Sequence, residues 1–314
     1  MDTNIVVLEG FETNPGDLSW SPIADLGNFQ LYDQTSQDQL TERITQANII
    51  ITNKLKIDES VLESVPNLKL ICQLATGTDN IDSSAAKNHG VIVKNAPNYS
   101  TSAVAQHTFS LILELVNHIC IHNTDVANHG WSKNGHWSYW LKPSFELEGK
   151  TLGIYGFGQI GKKVNEIAEC FGMKTLICSE HGDPSLYPNS KFVELEELFS
   201  ESDIVTLHKP LSDKNKEIID SRLIDLMKPS AYLINTARGG LVNETDLREN
   251  LLNNKIAGAA LDVLSQEPPE KNHPLLGIPN CIITPHIAWT PIETRKRLIE
   301  ITAKNIKDYL NSQG

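Results

Sequence analysis

The segment Gly156-Phe157-Gly158-Gln159-Ile160-Gly161 constrains the fold of this chain more than any other stretch of its sequence. It follows the strand-like run Thr151–Tyr155 and precedes a helix-period segment whose apolar face includes Val164, Ala168 and Phe171. In a strand-loop-helix unit, the first glycine allows a tight turn, the second lets a ligand approach the backbone, and the third lets the helix pack on the strand. Because a helix N-terminus attracts phosphate groups, this context predicts a parallel α/β sheet that binds a dinucleotide.

Short apolar runs alternate with helix-period segments along most of the 314 residues, which indicates repeated βαβ units and an α/β fold. The first series of predicted strands comprises residues 5–8, 49–52, 68–75 and 91–95. The second comprises residues 152–155, 175–178, 204–208, 231–235, 257–262 and 281–284. A long apolar helix over residues 101–122 separates the two series. Because the chain is long for a single core, we expect two doubly wound parallel-sheet domains, of residues 1–100 plus 287–314 and of residues 101–286.

The charge and the cysteine content exclude several classes of protein. With 27 Lys and Arg against 39 Asp and Glu, the formal net charge is -12, which repels nucleic acid and anionic membranes where no basic patch occurs. The N-terminal sequence does not have the pattern of a signal peptide, and the apolar stretches are too short to span a membrane. The five cysteines are scattered, as is typical of a reducing compartment. We therefore expect a cytoplasmic protein with no nucleic-acid or membrane partner and no metal site.

The residues after the second strand of the dinucleotide unit bear on the form of the cofactor. The dinucleotide fingerprint places an acid there to bond the ribose hydroxyls, and this chain has Ser179 followed by Glu180. A carboxylate at Glu180 repels a 2′-phosphate and favours NAD, whereas Ser179 with the nearby cation Lys209 would tolerate NADP. NAD is therefore the expected cofactor, and NADP is the alternative.

Three polar residues of the second domain follow predicted strands, at the edge where open α/β sheets carry their ligands. Arg238 has a planar fork of donors that suits a carboxylate, and His286 can give or take a hydroxyl proton. Glu267 can hold the tautomer of an imidazole through a hydrogen bond. Taken singly, each residue is equally consistent with an ordinary surface loop, so the prediction of a site depends on all three.

The segments around these residues form a set of motifs. They are Asn235-Thr236-Ala237-Arg238-Gly239, Asp262-Val263 with Glu267-Pro268, and Thr284-Pro285-His286-Ile287-Ala288. Together with Leu207-His208-Lys209-Pro210-Leu211 and residues 95–101, they resemble the signatures of the D-isomer-specific 2-hydroxyacid dehydrogenases over nearly the whole chain. Within that family, Leu8-Glu9-Gly10 and Leu74-Ala75-Thr76-Gly77 are most similar to the glycerate dehydrogenase, or hydroxypyruvate reductase, branch.

The resemblance implies a Rossmann-type NAD(P)-binding domain and a flavodoxin-like substrate domain with an active-site cleft between them. It also implies hydride transfer between nicotinamide C4 and C2 of a small 2-oxo or 2-hydroxy acid, with hydroxypyruvate or glyoxylate and D-glycerate or glycolate as the expected pairs. By the same resemblance, Arg238 binds the substrate carboxylate and carbonyl, His286 is the acid/base, and Glu267 supports His286.

The resemblance assigns further contacts to both domains. On the substrate domain, the backbone of Ala75 and Gly77 would hold the carboxylate, and Lys54 would add positive potential nearby. The implied cofactor contacts are Thr76, Gln159, Ile160, His208, Pro210, Thr236, Ala237 and Asp262. The dinucleotide loop and the segments beside it add Gly156, Gly158, Gly161, Ser179, Glu180 and Lys209 as expected contacts. Ser179 and Lys209 depart from the usual family residues, which are an acid and a small or apolar side chain.

Three other functions stay open at this stage. A D-lactate-type or other 2-hydroxyacid dehydrogenase would share the fold and the site. A formate dehydrogenase would share the fold, but Glu267 stands where that family typically has glutamine. A cofactor-sensing corepressor or scaffold would keep every motif and act by binding proteins.

Residues 101–147 carry features that the dehydrogenase motifs do not use. His118 and His122 lie four apart on the predicted helix with Cys120 between them, so they could bind a metal, but no third ligand accompanies them. The aromatic segment of residues 130–142 contains Trp137 and Trp140 and few cations, which favours an interface arm over stacking on nucleic-acid bases. We therefore expect a homodimer formed through residues 101–147.

Overall fold

The computed structural model describes residues 3–313 and divides into two compact units. The first unit is Met1–Ser100 with Trp289–Gly314, and the second is Thr101–Ala288. The second unit therefore extends slightly beyond the expected junction after residue 286. The reason is local, because the backbone N–H groups of Ile287 and Ala288 donate to the Asp262 carboxylate, each at 2.9 Å.

The elements of the described chain alternate between strands and helices. Strands β1 to β12 are Asn4–Val7, Asn28–Leu31, Ile49–Thr52, Leu70–Gln73, Ile92–Lys94, Thr151–Tyr155, Lys174–Cys178, Ser190–Phe192, Ile204–Leu207, Tyr232–Asn235, Gly258–Leu261 and Cys281–Ile283. Helices α1 to α12 are Ser21–Ala24, Leu40–Ile44, Glu59–Glu63, Ser83–Asn88, Thr101–Asn117, Ile119–Ala127, Gly130–Asn134, Gln159–Cys170, Leu195–Glu201, Ser221–Ile224, Glu244–Leu252 and Ile292–Ser312. Short 3-10 turns lie at Pro184–Leu186 and Gly239–Leu241.

The first unit contains a five-stranded parallel sheet in the order β2-β1-β3-β4-β5, which is the flavodoxin-like order. Side chains along β1 alternate between its two faces. Val6 belongs to a core with α2 and α3, whereas Ile5 and Val7 belong to the core on the other face. The C-terminal helix α12 covers that second face with Leu298 and Ile306. Both faces are thus buried, as a parallel sheet requires.

The second unit contains a seven-stranded parallel sheet in the order β12-β11-β10-β9-β6-β7-β8. Counted from β6, this is the Rossmann order with one further strand, and the order reverses between β6 and β9. Helices α5 and α8 cover one face, where Phe109 stacks on Phe171 with ring centroids 5.5 Å apart. The two sheets confirm the predicted α/β fold with two doubly wound domains.

The helix predicted over residues 101–122 is wrong in its extent. The chain leaves the helix at His118, whose φ is 55°, and the helices on either side differ in direction by 59°. The carboxylate of Glu114 accepts from the Cys120 backbone N–H at 3.1 Å, which satisfies a donor at the start of α6. Helix α5 is largely buried in the second unit, whereas no residue of α6 is buried. The apolar sequence pattern continues from α5 into α6, although α5 lies in the core and α6 lies at the surface.

The same two helices matter for a membrane-span test. Among the described residues, no single helix has the length and hydropathy needed to cross a membrane, and one bent pair, Thr101–Asn117 with Ile119–Ala127, reaches them in combination.

Candidate active site

The strands of the second unit end together, and the predicted site residues follow them. The last residues of six neighbouring strands are register partners, namely Cys178, Tyr155, Leu207, Asn235, Leu261 and Ile283. Each of these is followed at once by a predicted contact or by the segment that holds one. The structure therefore brings the second-unit candidates to one edge of the sheet, where open α/β sheets bind their ligands.

The three glycines of the nucleotide loop have different surroundings. Gly156 has a φ of 97°, and a Cβ there would lie 2.6 Å from the Lys209 backbone nitrogen. A Cβ on Gly161 would lie 2.3 Å from the Gly156 carbonyl oxygen, because the helix packs closely on the turn. A Cβ on Gly158 would meet no described atom within 4 Å. Protein atoms therefore exclude a side chain at Gly156 and Gly161, whereas Gly158 faces open space.

Helix α8 begins directly after Gly158, which has an extended conformation at the N-cap. Among the described residues no side chain caps this helix, so the amides of Gln159 and Ile160 are placed to receive an anion. The turn, the open side at Gly158 and the amides fit the pyrophosphate of a dinucleotide.

Lys209 and Glu180 form an ion pair beside this loop. Lys209 Nζ lies 2.9 Å from Glu180 Oε1 and 5.5 Å from the centre of the Tyr155 ring. The hydrogen bond from Lys209 lowers the pKa of the Glu180 carboxyl. Burial opposes the charge on Lys209, but the contact with Glu180 outweighs it and the pKa of the amine is raised. Both charges are therefore retained at neutral pH, and Lys209 is engaged by the acid rather than aimed at a phosphate.

His208 has an unusual environment for a histidine. Both of its ring nitrogens are buried, and neither has a hydrogen-bond partner among the described residues. Burial lowers the pKa of this imidazole to about 3. Because the charged form is disfavoured, His208 is neutral in the folded protein at physiological pH.

This burial predicts a pH dependence of stability. The folded-state pKa of His208 lies below the unfolded value of about 6.5, so the unfolded chain binds the extra proton between pH 6.5 and about 3. Above pH 6.5 the titration of His208 therefore leaves the free energy of unfolding unchanged, and below pH 6.5 it lowers this free energy progressively. Between pH 7.5 and 5.5 the loss is about 1.3 kcal/mol in the free energy of unfolding. Urea unfolding of the cofactor-free protein and of His208→Phe at both pH values measures it, and an equal loss in both proteins would contradict it.

His286 and Glu267 form a hydrogen-bonded pair within the second unit. His286 Nδ1 lies 2.6 Å from Glu267 Oε2, and the other carboxylate oxygen accepts from the Leu264 backbone N–H at 3.1 Å. An ionised carboxylate only accepts, so the proton of the imidazole is fixed on Nδ1 and Nε2 is left for another partner. Both side chains are partly accessible. The pair can therefore exchange a proton with a bound molecule through Nε2.

Asp262 fixes the backbone that carries His286. His286 has a φ of 53°, in the left-handed region, and its N–H donates to the carbonyl oxygens of Asp262 and Thr284, both at 2.9 Å. The Asp262 carboxylate accepts from the Thr284 hydroxyl at 2.6 Å and from the backbone N–H groups of Ile287 and Ala288. These bonds over-determine a conformation that is otherwise disfavoured for histidine.

His107 on α5 belongs to this network and was missed by the sequence reasoning. Its Nε2 lies 3.1 Å from Thr284 Oγ1 and 3.3 Å from Asp262 Oδ1. Burial raises the pKa of Asp262, but the hydrogen bonds from His107, from Thr284 and from the N–H groups of Ala288 and Ile287 outweigh it, and the pKa is lowered. The signal available in the sequence was the single histidine within the segment that forms α5.

Arg238 follows β10, two strands from β12. Its Nη1 donates to the Ala237 carbonyl oxygen at 2.9 Å, and its own carbonyl oxygen accepts from Asn235 Nδ2 at 2.9 Å. Asn235 Oδ1 accepts from the Ala237 N–H at 3.0 Å, so one amide side chain ties the turn. The Thr236 hydroxyl lies 2.9 Å from that of Thr108, which anchors the same turn to α5.

The remaining candidates lie in the first unit. The Thr76 hydroxyl donates to the Ala96 carbonyl oxygen at 3.0 Å, and Asn95 Nδ2 donates to the Thr76 carbonyl oxygen at 2.7 Å. These bonds hold the loop that contains Ala75 and Gly77. The Lys54 backbone N–H donates to the Glu9 carboxylate at 2.9 Å, which fixes the turn after β3.

The histidines considered as metal ligands are engaged by the backbone. His122 Nδ1 lies 2.7 Å from the His118 carbonyl oxygen, and the Leu141 N–H donates to His122 Nε2 at 3.0 Å. Within residues 3–313, no group of three or more His, Cys, Asp or Glu side chains is arranged to hold a metal ion. These contacts give His118 and His122 a structural role at the helix break.

A dinucleotide-binding sheet whose ligand edge carries a carboxylate-paired histidine and an arginine is the arrangement of a nicotinamide-dependent dehydrogenase. Residues 109–288 match the sequence profile described as D-isomer specific 2-hydroxyacid dehydrogenase, NAD binding domain. The chain is 42% identical to a hydroxypyruvate reductase of Blautia hydrogenotrophica, over 98% of this chain and 96% of that protein. It is 36% identical to a glycerate dehydrogenase of Methylorubrum extorquens, over 90% of this chain and 89% of that protein.

A solved structure agrees with these sequence matches. The D-lactate dehydrogenase of Aquifex aeolicus, complexed with NAD and lactic acid, superposes with a TM-score of 0.86 at 30% identity, and covers 99% of this chain and 96% of its own. The chain therefore belongs to the D-isomer-specific 2-hydroxyacid dehydrogenase family, whose members are NAD(P)-dependent oxidoreductases. The family predicted from the sequence motifs is confirmed.

Proposed function

We propose that this protein reduces hydroxypyruvate or glyoxylate to D-glycerate or glycolate with a nicotinamide cofactor, and catalyses the reverse reaction. The observation that carries the proposal is the 2.6 Å contact between His286 and Glu267, at the sheet edge that also carries Arg238. Relatives named hydroxypyruvate reductase, glycerate dehydrogenase and glyoxylate reductase support the choice of acid.

When bound, the nicotinamide supplies or accepts the hydride. In reduction, His286 acts as the imidazolium, with protons on both ring nitrogens: it gives the Nε2 proton to the carbonyl oxygen and is left as the neutral imidazole, whose Nδ1–H stays bonded to Glu267. Arg238 binds the substrate carboxylate with its fork of donors and stabilises negative charge that develops on the carbonyl oxygen. Glu267 keeps the imidazole in one plane and one tautomer through the transfer. In oxidation, the same nitrogen of His286 takes the hydroxyl proton.

We also assign part of the carboxylate binding to the first unit. The backbone N–H groups of Ala75 and Gly77 are the proposed donors, and the two hydrogen bonds of Thr76 support a fixed loop. Lys54 is proposed to attract the anionic substrate, because the chain as a whole is acidic. Lys54→Met should therefore lower kcat/KM for the acid, and this decrease should be larger at low than at high ionic strength.

A panel of 2-oxo acids tests the proposed function. NADH and NADPH oxidation is followed with hydroxypyruvate, glyoxylate, pyruvate and a branched 2-oxo acid. We expect the highest kcat/KM with hydroxypyruvate or glyoxylate. A preference for pyruvate would favour a D-lactate-type enzyme, and tight cofactor binding with no turnover of any acid would favour a non-enzymatic scaffold.

We propose NAD as the preferred cofactor because Glu180 forms an ion pair with Lys209. The two side chains are 2.9 Å apart at the end of β7, where the 2′ position of the adenosine ribose is expected. A phosphate there would face the Glu180 carboxylate and would compete with it for Lys209. The acid thus works against NADP in two ways, by repulsion and by holding the nearby cation.

Removing this acid should change the cofactor preference. In Glu180→Gln the repulsion is lost and Lys209 is released, so kcat/KM with NADPH should rise about tenfold, whereas kcat/KM with NADH should change by less than about threefold. Steady-state kinetics with both cofactors measures this ratio. The double variant E180Q/K209M is the control, since it should lose most of the gain. An unchanged ratio in E180Q would contradict the assignment.

We propose that two copies of the chain associate through residues 101–147. Large apolar side chains in this part of the second unit are exposed, with Trp137 91% and Trp140 74% accessible. No residue of α6 is buried, although Ile119 and Ile121 belong to it. Such apolar exposure is typical of an interaction surface, and closed homodimers are the commonest assemblies.

The solution mass tests this assembly. Sedimentation equilibrium should give about twice the 34.9 kDa of one chain. Replacing Trp137 and Trp140 together with serine should raise the dimer dissociation constant at least about tenfold. A monomer at micromolar concentration in the unsubstituted protein would contradict the proposal.

We propose that the protein works in the cytoplasm. All five cysteines carry free thiols in the structure, and burial raises the pKa of the Cys72 thiol to about 12. Unpaired, protonated thiols suit a reducing compartment. Fractionation of the source cells should place the protein with cytoplasmic markers, and recovery from an oxidising compartment would contradict this.

A further inference from the structure

Glu244, Ser265 and His273 form a polar cluster that the proposed mechanism does not use, in which the Glu244 and His273 side chains are largely buried and Ser265 is exposed. Glu244 is the first residue of α11, which follows the Arg238 turn and is capped by the Asn243 side chain. Its carboxylate accepts from the Ser265 backbone N–H at 2.8 Å, from the Ser265 hydroxyl at 2.5 Å and from His273 Nε2 at 3.1 Å. The His273 and Glu244 side chains are 7% and 10% exposed.

The state of His273 follows from its two contacts. Nε2 faces the Glu244 carboxylate and must donate, while Nδ1 accepts from the Leu275 backbone N–H at 3.4 Å. Only the tautomer with its proton on Nε2 satisfies both contacts. A buried carboxylate with three donors is strongly held, and losing one donor leaves it under-satisfied.

Ser265 connects this cluster to the candidate acid/base pair. It lies in the turn between β11 and Glu267, and the residue before it, Leu264, donates its N–H to the Glu267 carboxylate at 3.1 Å. The opposite oxygen of Glu267 bonds His286 at 2.6 Å. Anchoring Ser265 therefore fixes the turn whose backbone sets the position of the Glu267 carboxylate.

The same turn also supports Arg238. A Cβ on Gly239 would lie 1.9 Å from the Leu264 carbonyl carbon and 2.3 Å from the Ser265 backbone nitrogen. The backbone next to Arg238 thus rests directly on the peptide that Glu244 holds. A shift of that peptide would move both the acid/base pair and the carboxylate-binding turn.

We propose that Glu244 and His273 are positioning residues of the reaction: their buried pair clamps Ser265 and thereby holds Glu267 at hydrogen-bonding distance from His286. This role rests on the proposed function for its catalytic consequence. The clamp residues are not among those proposed to contact substrate or cofactor, so substitutions in the clamp should affect kcat rather than cofactor binding.

Kinetics of Glu244→Gln, His273→Asn and Ser265→Ala test the clamp. S265A removes one hydroxyl donor at an exposed residue and keeps the protein testable if the buried substitutions fail to fold. We expect kcat to fall about tenfold in E244Q and H273N and less in S265A, with KM for NADH unchanged. Glu59→Gln, which removes the charge from the 2.6 Å pair between His89 and Glu59 in the first unit, is the matched control and should leave kcat unchanged.

A double-mutant cycle separates positioning from a general structural role. If the clamp acts through Glu267, then kcat of E244Q/E267Q should equal that of E267Q. Once the Glu267 carboxylate is gone, removing the clamp that positions it has no further effect on kcat. Losses of kcat that multiply in the double variant would overturn the proposal. Unchanged kcat in both E244Q and H273N would also overturn it.

A spectroscopic signal tests the clamp without turnover. The His286 Nδ1 proton, held against Glu267, should give a downfield proton resonance that is absent in His286→Asn, and this resonance should weaken or vanish in E244Q and H273N. A resonance that persists in both variants would overturn the clamp. If the unsubstituted protein turns over no 2-oxo acid, the proposed function fails, and this resonance still decides whether the clamp holds Glu267.

Discussion

Replacing His286 with asparagine should lower kcat for reduction of the 2-oxo acid about 1000-fold, while the dissociation constant for NADH changes by less than about twofold. General acid/base groups contribute roughly 100- to 10,000-fold, and the loss should lie in this range because no second group takes over the proton. Asparagine suits this position, since His286 has a φ of 53° and asparagine tolerates the left-handed region better than most residues. The substitution therefore removes the imidazole and preserves the backbone.

Two measurements complete this test. Tryptophan fluorescence quenching by NADH reports cofactor binding, and the temperature of unfolding shows whether the Asp262 network is kept. Glu267→Gln is the graded comparison, because it keeps a hydrogen-bonding group beside Nδ1 and should lose less activity than H286N. Turnover in H286N within tenfold of the unsubstituted protein would contradict the assignment of His286.

Replacing Arg238 with lysine should lower kcat/KM for the acid at least about 1000-fold. Lysine keeps the positive charge but cannot bind a carboxylate through two parallel N–H groups, and its ammonium group cannot reproduce the planar fork. Because Arg238 is proposed to act on both the carboxylate and the developing negative charge, both KM and kcat should worsen.

Arg222→Lys is the matched control for Arg238. Arg222 lies in the same unit, and its Nη1 is 3.0 Å from Glu196 Oε1 on the surface. Surface pairs of this kind contribute little, so R222K should keep normal kinetics. If R238K retained kcat/KM within tenfold, Arg238 would not be the residue that clamps the carboxylate.

The central strands could be predicted because their burial on both faces leaves continuous apolar runs in the sequence. β3, for example, is Ile-Ile-Ile-Thr and is buried throughout. β2 and β8 were missed, since they are edge strands with only partial burial, and their residues, such as Asn28 and Lys191, do not differ from those of loops. The edge strands β5 (Ile92–Lys94) and β12 (Cys281–Ile283) are not fully buried either, but they were predicted because they still contain adjacent apolar residues. The sequence therefore detects an apolar run, which β2 and β8 lack.

The break at His118 depended on a contact that periodicity does not encode. The apolar pattern runs on through Ile119 and Ile121, so it predicted one helix. The helix ends because His118 adopts a left-handed conformation and Glu114 caps the next segment. Local bonds between a side chain and the backbone decide such boundaries, and they require coordinates to be recognised.

The residues of the candidate site likewise divide into those that the sequence predicts and those that only the structure reveals. Glu267 and His286 could be named because each follows a strand and carries reactive chemistry, and the structure places them 2.6 Å apart. The supporting residues Glu244, Ser265 and His273 could not, because they lie outside the recognised motifs and meet only where the start of α11 contacts the turn after β11. Which residue supports another depends on distances that a sequence does not contain.

Isotope transfer from the cofactor to the product tests the proposed reaction most directly. Hydroxypyruvate is reduced with NADH that carries deuterium at C4, and the glycerate formed is examined by mass spectrometry and chiral chromatography. We expect one deuterium at C2 of the glycerate and only the D-isomer, with product formation abolished in H286N. Glycerate without deuterium at C2, or the L-isomer as the main product, would contradict hydride transfer by a D-2-hydroxyacid dehydrogenase.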